Sequence, residues 1–211
     1  MTKTARHFIN SEWRGAAAKA NENPSDLANP VGDAASADGA DLADAIGAAN
    51  AAFPEWSLAS PQVRHDILDK AGSLVLERQK ELGHILSSEE GKTLAEGIGE
   101  SARAGQILKF FAGEALRLTR ERVASTLSGV DVEITREPLG VIDLITPWNF
   151  PIAIPAWKLA PAIAFGNTVV MKLAELTPAT AAALVAILEE AGLPRASSTW
   201  CSARNYGDEL R

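Results

Sequence analysis

The chain is poor in the residues that carry much familiar site chemistry. It has one cysteine, Cys201, so no internal disulfide can form and an oxidised, cross-linked scaffold is excluded. Its three histidines (His7, His65 and His84) are scattered through the first half, with no metal-ligand spacing. There is no basic stripe. The net charge is −7, and all of that excess falls in the first hundred of the 211 residues, which argues against a nucleic-acid partner. Long apolar runs are missing too. The most apolar segment, 150–165, holds Lys158 and the prolines Pro151, Pro155 and Pro161, so it is not read as a membrane span. Met1 to Trp13 has no apolar signal core, and a cytoplasmic protein is the expectation. No internal repeat or low-complexity linker is evident.

What is there reads as helices first and strands later. Residues 1–33 look like an extended arm, with a short hairpin at Phe8-Ile9-Asn10 and Glu12-Trp13. Leu42, Ile46, Ala49 and Phe53 predict a helix over 38–56, capped by Asp38 or Asp41. Ser60 and Pro61 open one long helix over 60–88, whose apolar stripe includes Ile67, Leu68, Leu74, Val75, Leu82 and Leu86 and which Gly91 ends. A further helix is expected over 93–120, burying Leu94, Ile98, Ala102, Leu108, Phe111 and Leu116. Within it, Gly97-Ile98-Gly99-Glu100-Ser101-Ala102 fits G-x-G-x-x-A. A dinucleotide turn needs a strand before it, and here helical runs flank the pattern on both sides, so it is read as a decoy. Val130, Val132 and Ile134 alternate with polar residues, as in a half-buried strand. From Ile142 to Gly192 the pattern is strand, helix, strand, helix: a buried strand over 141–145, a helix over 155–164, a strand over 168–173 and a helix opened by Thr177-Pro178. That order is the grammar of a parallel α/β sheet.

The densest cluster is Thr146-Pro147-Trp148-Asn149-Phe150-Pro151. Proline fixes φ, so the loop is stiff at both ends. An asparagine held there can aim its amide N–H at a developing oxyanion, though turn formation is the plainer role for that residue type. Together with Trp157-Lys158, Gly166-Asn167-Thr168-Val169-Val170-Met171-Lys172 and Glu175, the cluster closely resembles the aldehyde dehydrogenase superfamily, and the resemblance runs from about His7 to Pro194.

The resemblance implies an α/β fold: the N-terminal part of the aldehyde dehydrogenase fold, with an incomplete Rossmann-like nucleotide-binding domain and a helix-rich first half. It implies NAD(P)-dependent oxidation of an aldehyde to an acid. In that family a cysteine thiolate attacks the aldehyde, hydride passes to the nicotinamide, and water hydrolyses the thioester. Asn149 matches the oxyanion asparagine. Ile145, Thr146, Pro147 and Trp148 match the wall of the cofactor cleft. Lys172 and Glu175 match the lysine and carboxylate that take the adenosine ribose. A carboxylate accepts from a free 2′-OH and repels a 2′-phosphate, so NAD is favoured over NADP. The family usually has proline after this lysine, where Leu173 stands, which leaves the aim of Lys172 open. Trp157 matches a residue near the substrate tunnel, with a plain core aromatic as the alternative, and Lys158 matches a lysine near the active site. Arg136 to Gly140 and Pro151 to Lys158 look like the branch acting on 2-oxoglutarate semialdehyde (2,5-dioxopentanoate). Family members form homo-oligomers, in part through a C-terminal strand that is not in this sequence.

The family's cysteine nucleophile, glutamate base and glycine-serine pyrophosphate turn are not in these 211 residues, and the context of Cys201 does not match the nucleophile segment. After Gly192-Leu193-Pro194 the family continues G-V-x-N-x-V-x-G. Arg195 to Ala203 can be encoded so that, read two bases later, the same string gives G-V-F-N-L-V-L-G. The expected layout is therefore a partial NAD(P)-binding domain over 1–194 and an aberrant, frame-shifted tail over 195–211, by mutation or sequencing error, with the catalytic domain absent. Such a chain is expected to leave an unpaired sheet edge, to be poorly soluble and to be inactive alone. A non-catalytic fragment that binds nucleotide or joins intact subunits is the other reading.

Overall fold

The computed structural model describes residues 4–194 and the backbone of 198–201. The arm comes first, as β1 (Thr4–Ala5), β2 (His7–Ile9), β3 (Glu12–Arg14), β4 (Lys19–Asn21) and β5 (Gly32–Ala34). The hairpin expected near Phe8 and Trp13 is present, β2 pairing antiparallel with β3 around Asn10 and Ser11, both at positive φ. Strands β1, β5 and β4 make a small sheet of their own.

Helices follow: α1 (Gly39–Leu58), α2 (Pro61–Glu77), α3 (Gln79–Glu90) and α4 (Leu94–Ala115). Asp38 and Asp41 form a reciprocal cap on α1. That helix buries Ala45, Ala49 and Trp56. Then come β6 (Glu121–Ala124), β7 (Asp131–Ile134), β8 (Val141–Ile145), α5 (Ala153–Ala164), β9 (Thr168–Lys172), α6 (Pro178–Ala191) and β10 (Ser198–Cys201).

The main sheet has the order β3-β2-β10-β9-β8, with β8, β9 and β10 parallel. Strand period sorts its two faces. Val170 faces α1 with Ile9, Ala45 and Ala49, and the Thr168 hydroxyl donates to the Ala49 carbonyl at 3.0 Å. Val169 and Met171 face the larger core with Leu68, Leu108, Leu159 and Leu184 from α2, α4, α5 and α6.

Several expectations are corrected. The single helix over 60–88 is two helices. The chain breaks at Arg78 (φ −97°, ψ 12°), whose guanidinium reaches both Glu190 oxygens at 2.7 Å. No glycine or proline marks the bend; tertiary contact with α6 accompanies it. The helix expected over 93–120 ends at Ala115, and Leu94 and Leu116 are exposed. Beside Ile107 and Leu108, its buried face is made of small residues where α4 crosses α2 and α3 at very close range. A Cβ on Gly97 would stand 2.6 Å from the Gly83 carbonyl oxygen, and one on Gly105 2.8 Å from Leu76 Cγ. The G-x-G-x-x-A pattern is thus helix-packing surface inside α4, with no strand before it.

Val132 and Ile134 are not half-buried. β7 pairs only with β6, in a two-stranded ribbon exposed at every position. Strand β8 is not fully buried either: it is the sheet's edge, and only Leu144 is buried. The unpaired edge expected at the strand after β9 is not found there, since β10 pairs with β9 on one side and β2 on the other; an edge lies at β8. The rest of the aberrant tail expected over 195–211, with the Cys201 side chain, lies outside the described residues.

Candidate functional site

The carboxyl ends of β8 and β9 deliver the two loops that carry the candidate residues. Ile145 pairs with Lys172 across the ladder. Thr146 extends that pairing, its N–H and its hydroxyl both donating to the Lys172 carbonyl at 3.2 Å. Thr146 is buried, whereas Ile145, Trp148 and Phe150 are about half exposed, as an apolar rim at the sheet's end. Pro147 links that buried threonine to the rim. Asn149 is exposed on the same loop.

The loop is held from outside. Lys92 Nζ donates to the Asn149 carbonyl at 2.7 Å and to Glu100 Oε2 at 2.7 Å, and it lies 4.1 Å from the centroid of the Phe150 ring. Glu100 Oε1 accepts from the backbone N–H groups of Ile152 and Ala153 at 3.1 and 3.2 Å. Burial pushes the nearby Glu90 carboxyl up, and the Lys92 ammonium draws it back.

After β9, Lys172 Nζ meets Glu175 Oε1 at 3.4 Å. A cavity of about 440 Å³ opens between this loop and the arm, lined by Trp148, Glu175, Leu176 and Thr177 on one side and by Lys19, Asn21 and Glu22 among others on the opposite side. Of the candidate cofactor residues, Trp148 and Glu175 line it; Ile145, Thr146, Pro147 and Lys172 stand behind or beside it. Trp157 lies apart on α5, edge-on to Phe111 with ring centroids 6.4 Å apart, and is half exposed rather than part of the core.

Thr177 is the N-cap of α6 by position, but its side chain makes no cap hydrogen bond. Glu89, buried at the end of α3, does that work. It accepts from the Ala179 and Thr180 N–H groups at 2.5 and 2.8 Å, from the Thr180 hydroxyl at 2.6 Å and from the Asn21 amide at 2.7 Å. Burial pushes its carboxyl up, and these hydrogen bonds pull it back. Glu89, Lys92 and Glu100 were not singled out from the sequence. The Glu96 that completes the Thr93 capping box offered a local signal for where α4 starts, but nothing local shows where Glu89 or Glu100 reaches.

A sequence profile described as the aldehyde dehydrogenase family matches residues 13–209. The chain belongs to that family. It is 42% identical over 195 residues to an alpha-ketoglutaric semialdehyde dehydrogenase of Bacillus subtilis, covering 90% of this chain and 40% of the relative. In structure it is similar to an NADP-dependent enzyme of E. coli, with a TM-score of 0.93 and 31% identity over 96% of this chain and 43% of that one. It is likewise similar to a betaine aldehyde dehydrogenase from Staphylococcus aureus in complex with NAD+, with a TM-score of 0.90 and 28% identity over 95% and 41% of the two chains. The chain thus spans about two fifths of the length of these relatives, and it has the N-terminal portion of the aldehyde dehydrogenase fold. Among the described residues, no helix is long and apolar enough to cross a membrane, and no cluster of three or more metal-ligating side chains occurs.

Proposed function

We propose that this chain is the N-terminal part of a nicotinamide-dependent aldehyde dehydrogenase that converts a semialdehyde to a carboxylic acid, with 2-oxoglutarate semialdehyde the favoured substrate. The supporting observation is Asn149 on a loop stiffened by Pro147 and Pro151, beside a cleft walled by Trp148 and Glu175. The similarity to the Bacillus subtilis semialdehyde dehydrogenase supports the substrate class.

The residues present fit the adenosine half of the cofactor. Glu175 offers a partly exposed carboxylate to ribose hydroxyls, Lys172 sits 3.4 Å from it, and Leu176 gives an apolar wall, while Trp148 flanks the nicotinamide half. Ile145, Thr146 and Pro147 shape the loop that carries Trp148. A bound nicotinamide cofactor would supply the hydride acceptor for the oxidation. The Asn149 amide donates to the aldehyde oxygen as it gains negative charge, and it needs no reorganisation because its loop is already fixed. Trp157, with Phe111, borders the substrate side. The carboxylate of Glu175 favours NAD over NADP by repelling a 2′-phosphate. No cysteine nucleophile or glutamate base in the family's context occurs in these 211 residues, and no turnover is expected of the 211-residue chain alone. The reaction is cytoplasmic in this reading.

The test is a spectrophotometric assay of the whole gene product with NAD and NADP against 2-oxoglutarate semialdehyde, succinate semialdehyde and betaine aldehyde. Turnover with semialdehydes is expected, and Asn149→Ala is expected to lower kcat by about 10²–10³. No reduction of either cofactor with any aldehyde refutes the reading.

A further inference from the structure

We propose that Lys92 and Glu100 are positioning residues that set the geometry of the Asn149 loop. This rests on the functional reading above for its consequence in catalysis, while its structural content stands on the clamp itself.

The two side chains are among the most enclosed charges near the cleft, with 18% of Lys92 and 4% of Glu100 exposed. A buried ion pair is a poor means of adding stability, since desolvation offsets most of the attraction. This pair spends its hydrogen bonds on one short segment. Lys92 holds the Asn149 carbonyl, and Glu100 holds the Ile152 and Ala153 amides. Pro147 fixes φ two residues before Asn149, and Pro151 fixes φ two residues after it. The Lys92 bond fixes the direction of the carbonyl between them, and with it ψ at Asn149. The Phe150 ring, against the ammonium, holds the next residue. The loop is therefore determined at its centre by Lys92, at its ends by the prolines and at the start of α5 by Glu100. Because the Asn149 side chain leaves a backbone fixed in this way, its amide is aimed without a bond to any other described side chain being required.

A displacement of about 1 Å at a reacting group can cost on the order of 10²-fold in rate. Lys92→Met and Glu100→Leu are therefore expected to lower kcat of the whole gene product about 10- to 100-fold, with KM for the aldehyde changed less than about threefold. Lys92→Arg, which keeps the charge and the donors, is expected to recover most of the loss. In parallel, amide hydrogen exchange in the peptide covering Ile152 and Ala153 is expected to quicken about tenfold or more in Glu100→Leu, which removes both acceptor oxygens, with the circular dichroism spectrum unchanged. Exchange at Ile152 and Ala153 that is the same in parent and folded Glu100→Leu overturns the clamp. Folded Lys92→Met with parental kcat overturns the positioning role. A parent without aldehyde turnover counts against the functional reading instead, and the exchange result still decides the clamp. If Lys92→Met fails to fold, Glu100→Leu carries the same comparison through kcat and exchange.

Discussion

Glu89→Gln isolates how a buried carboxylate holds α6. The carboxylate receives four hydrogen bonds: Asn21 and Ala179 on one oxygen, and Thr180 N–H and hydroxyl on the other. Glutamine keeps the shape but has one acceptor. With its carbonyl toward Thr180, its NH₂ faces the Ala179 N–H and the Asn21 amide. Asn21 can flip and present its oxygen, but the Ala179 N–H cannot. With the carbonyl toward Ala179 and Asn21, the Thr180 hydroxyl can rotate to accept, but the Thr180 N–H is stranded. Either way, one buried helix N–H loses its partner. That costs about 1–3 kcal/mol, and burying a neutral amide in place of a charge returns part of it. With urea slopes of about 1–3 kcal/mol per molar, the unfolding midpoint is expected to fall by roughly 0.5–1 M. Equilibrium urea unfolding, followed by far-UV circular dichroism at pH 7.5, reads this. An unchanged midpoint would refute the assignment of Glu89 as the cap of α6. A fall much beyond about 3 kcal/mol would mean that more than one donor is stranded.

Three further outcomes are expected. Gly97→Ala should destabilise by about 1–3 kcal/mol, because its Cβ would meet Ser87 Oγ and the Gly83 carbonyl at 2.5 and 2.6 Å, whereas Gly99→Ala meets nothing within 4 Å and should stabilise by about 0.5–1 kcal/mol; thermal melts of the two variants check this, and equal effects would undo the close-crossing account. Burial holds His7 below its usual pKa despite the backbone of Ser36 and the charges of Asp41 and Asp38, so the unfolded chain binds the extra proton; its contribution is complete above about pH 6.5 and lost as pH falls below that, and His7→Gln should flatten the slope of Tm against pH between 5 and 7. Arg78→Ala removes a pair with both partners well exposed, so its cost should stay below about 1 kcal/mol in urea unfolding.

Much of the fold was legible where local rules and tertiary need agree. Ser60-Pro61, the Asp38 cap and the glycines after α3 and α6 mark helix ends that the structure keeps. The strand–helix–strand–helix order from Ile142 onward stands, as does the arm's hairpin. The misreadings share one cause: periodicity shows which residues are apolar but not what lies opposite them. Val132 and Ile134 alternate as a half-buried strand does, yet among the described residues no layer covers the ribbon. Leu94 and Leu116 fit an apolar stripe, while the real seam of α4 is Gly97, Ser101, Ala104 and Gly105, since only small side chains allow the backbones to approach so closely. The bend at Arg78 is accompanied by a contact with Glu190, more than a hundred residues away, which no local pattern reveals.

The same limit governs the candidate site, and there it has a use. The helices that follow the two site-bearing loops start without a local side-chain cap: α5 has Ile152 at that position, and Thr177 of α6 forms no cap bond. Buried glutamates from the helical layer supply the acceptors instead, Glu100 to α5 and Glu89 to α6. In an ordinary turn, an asparagine or threonine just before the helix would fold back onto the first amides. Here those amides are already satisfied, so the polar side chains of the loops are not needed as caps: Asn149 is exposed, and Glu175 lines the cleft. A helix start that breaks the local capping rule beside a cleft is thus a structural cost placed where a site needs free donors and acceptors. Ile152 itself is fully buried in the core, so a polar cap at that position would carry a heavy desolvation cost, and the acceptor for the first amides of α5 has to come from another element.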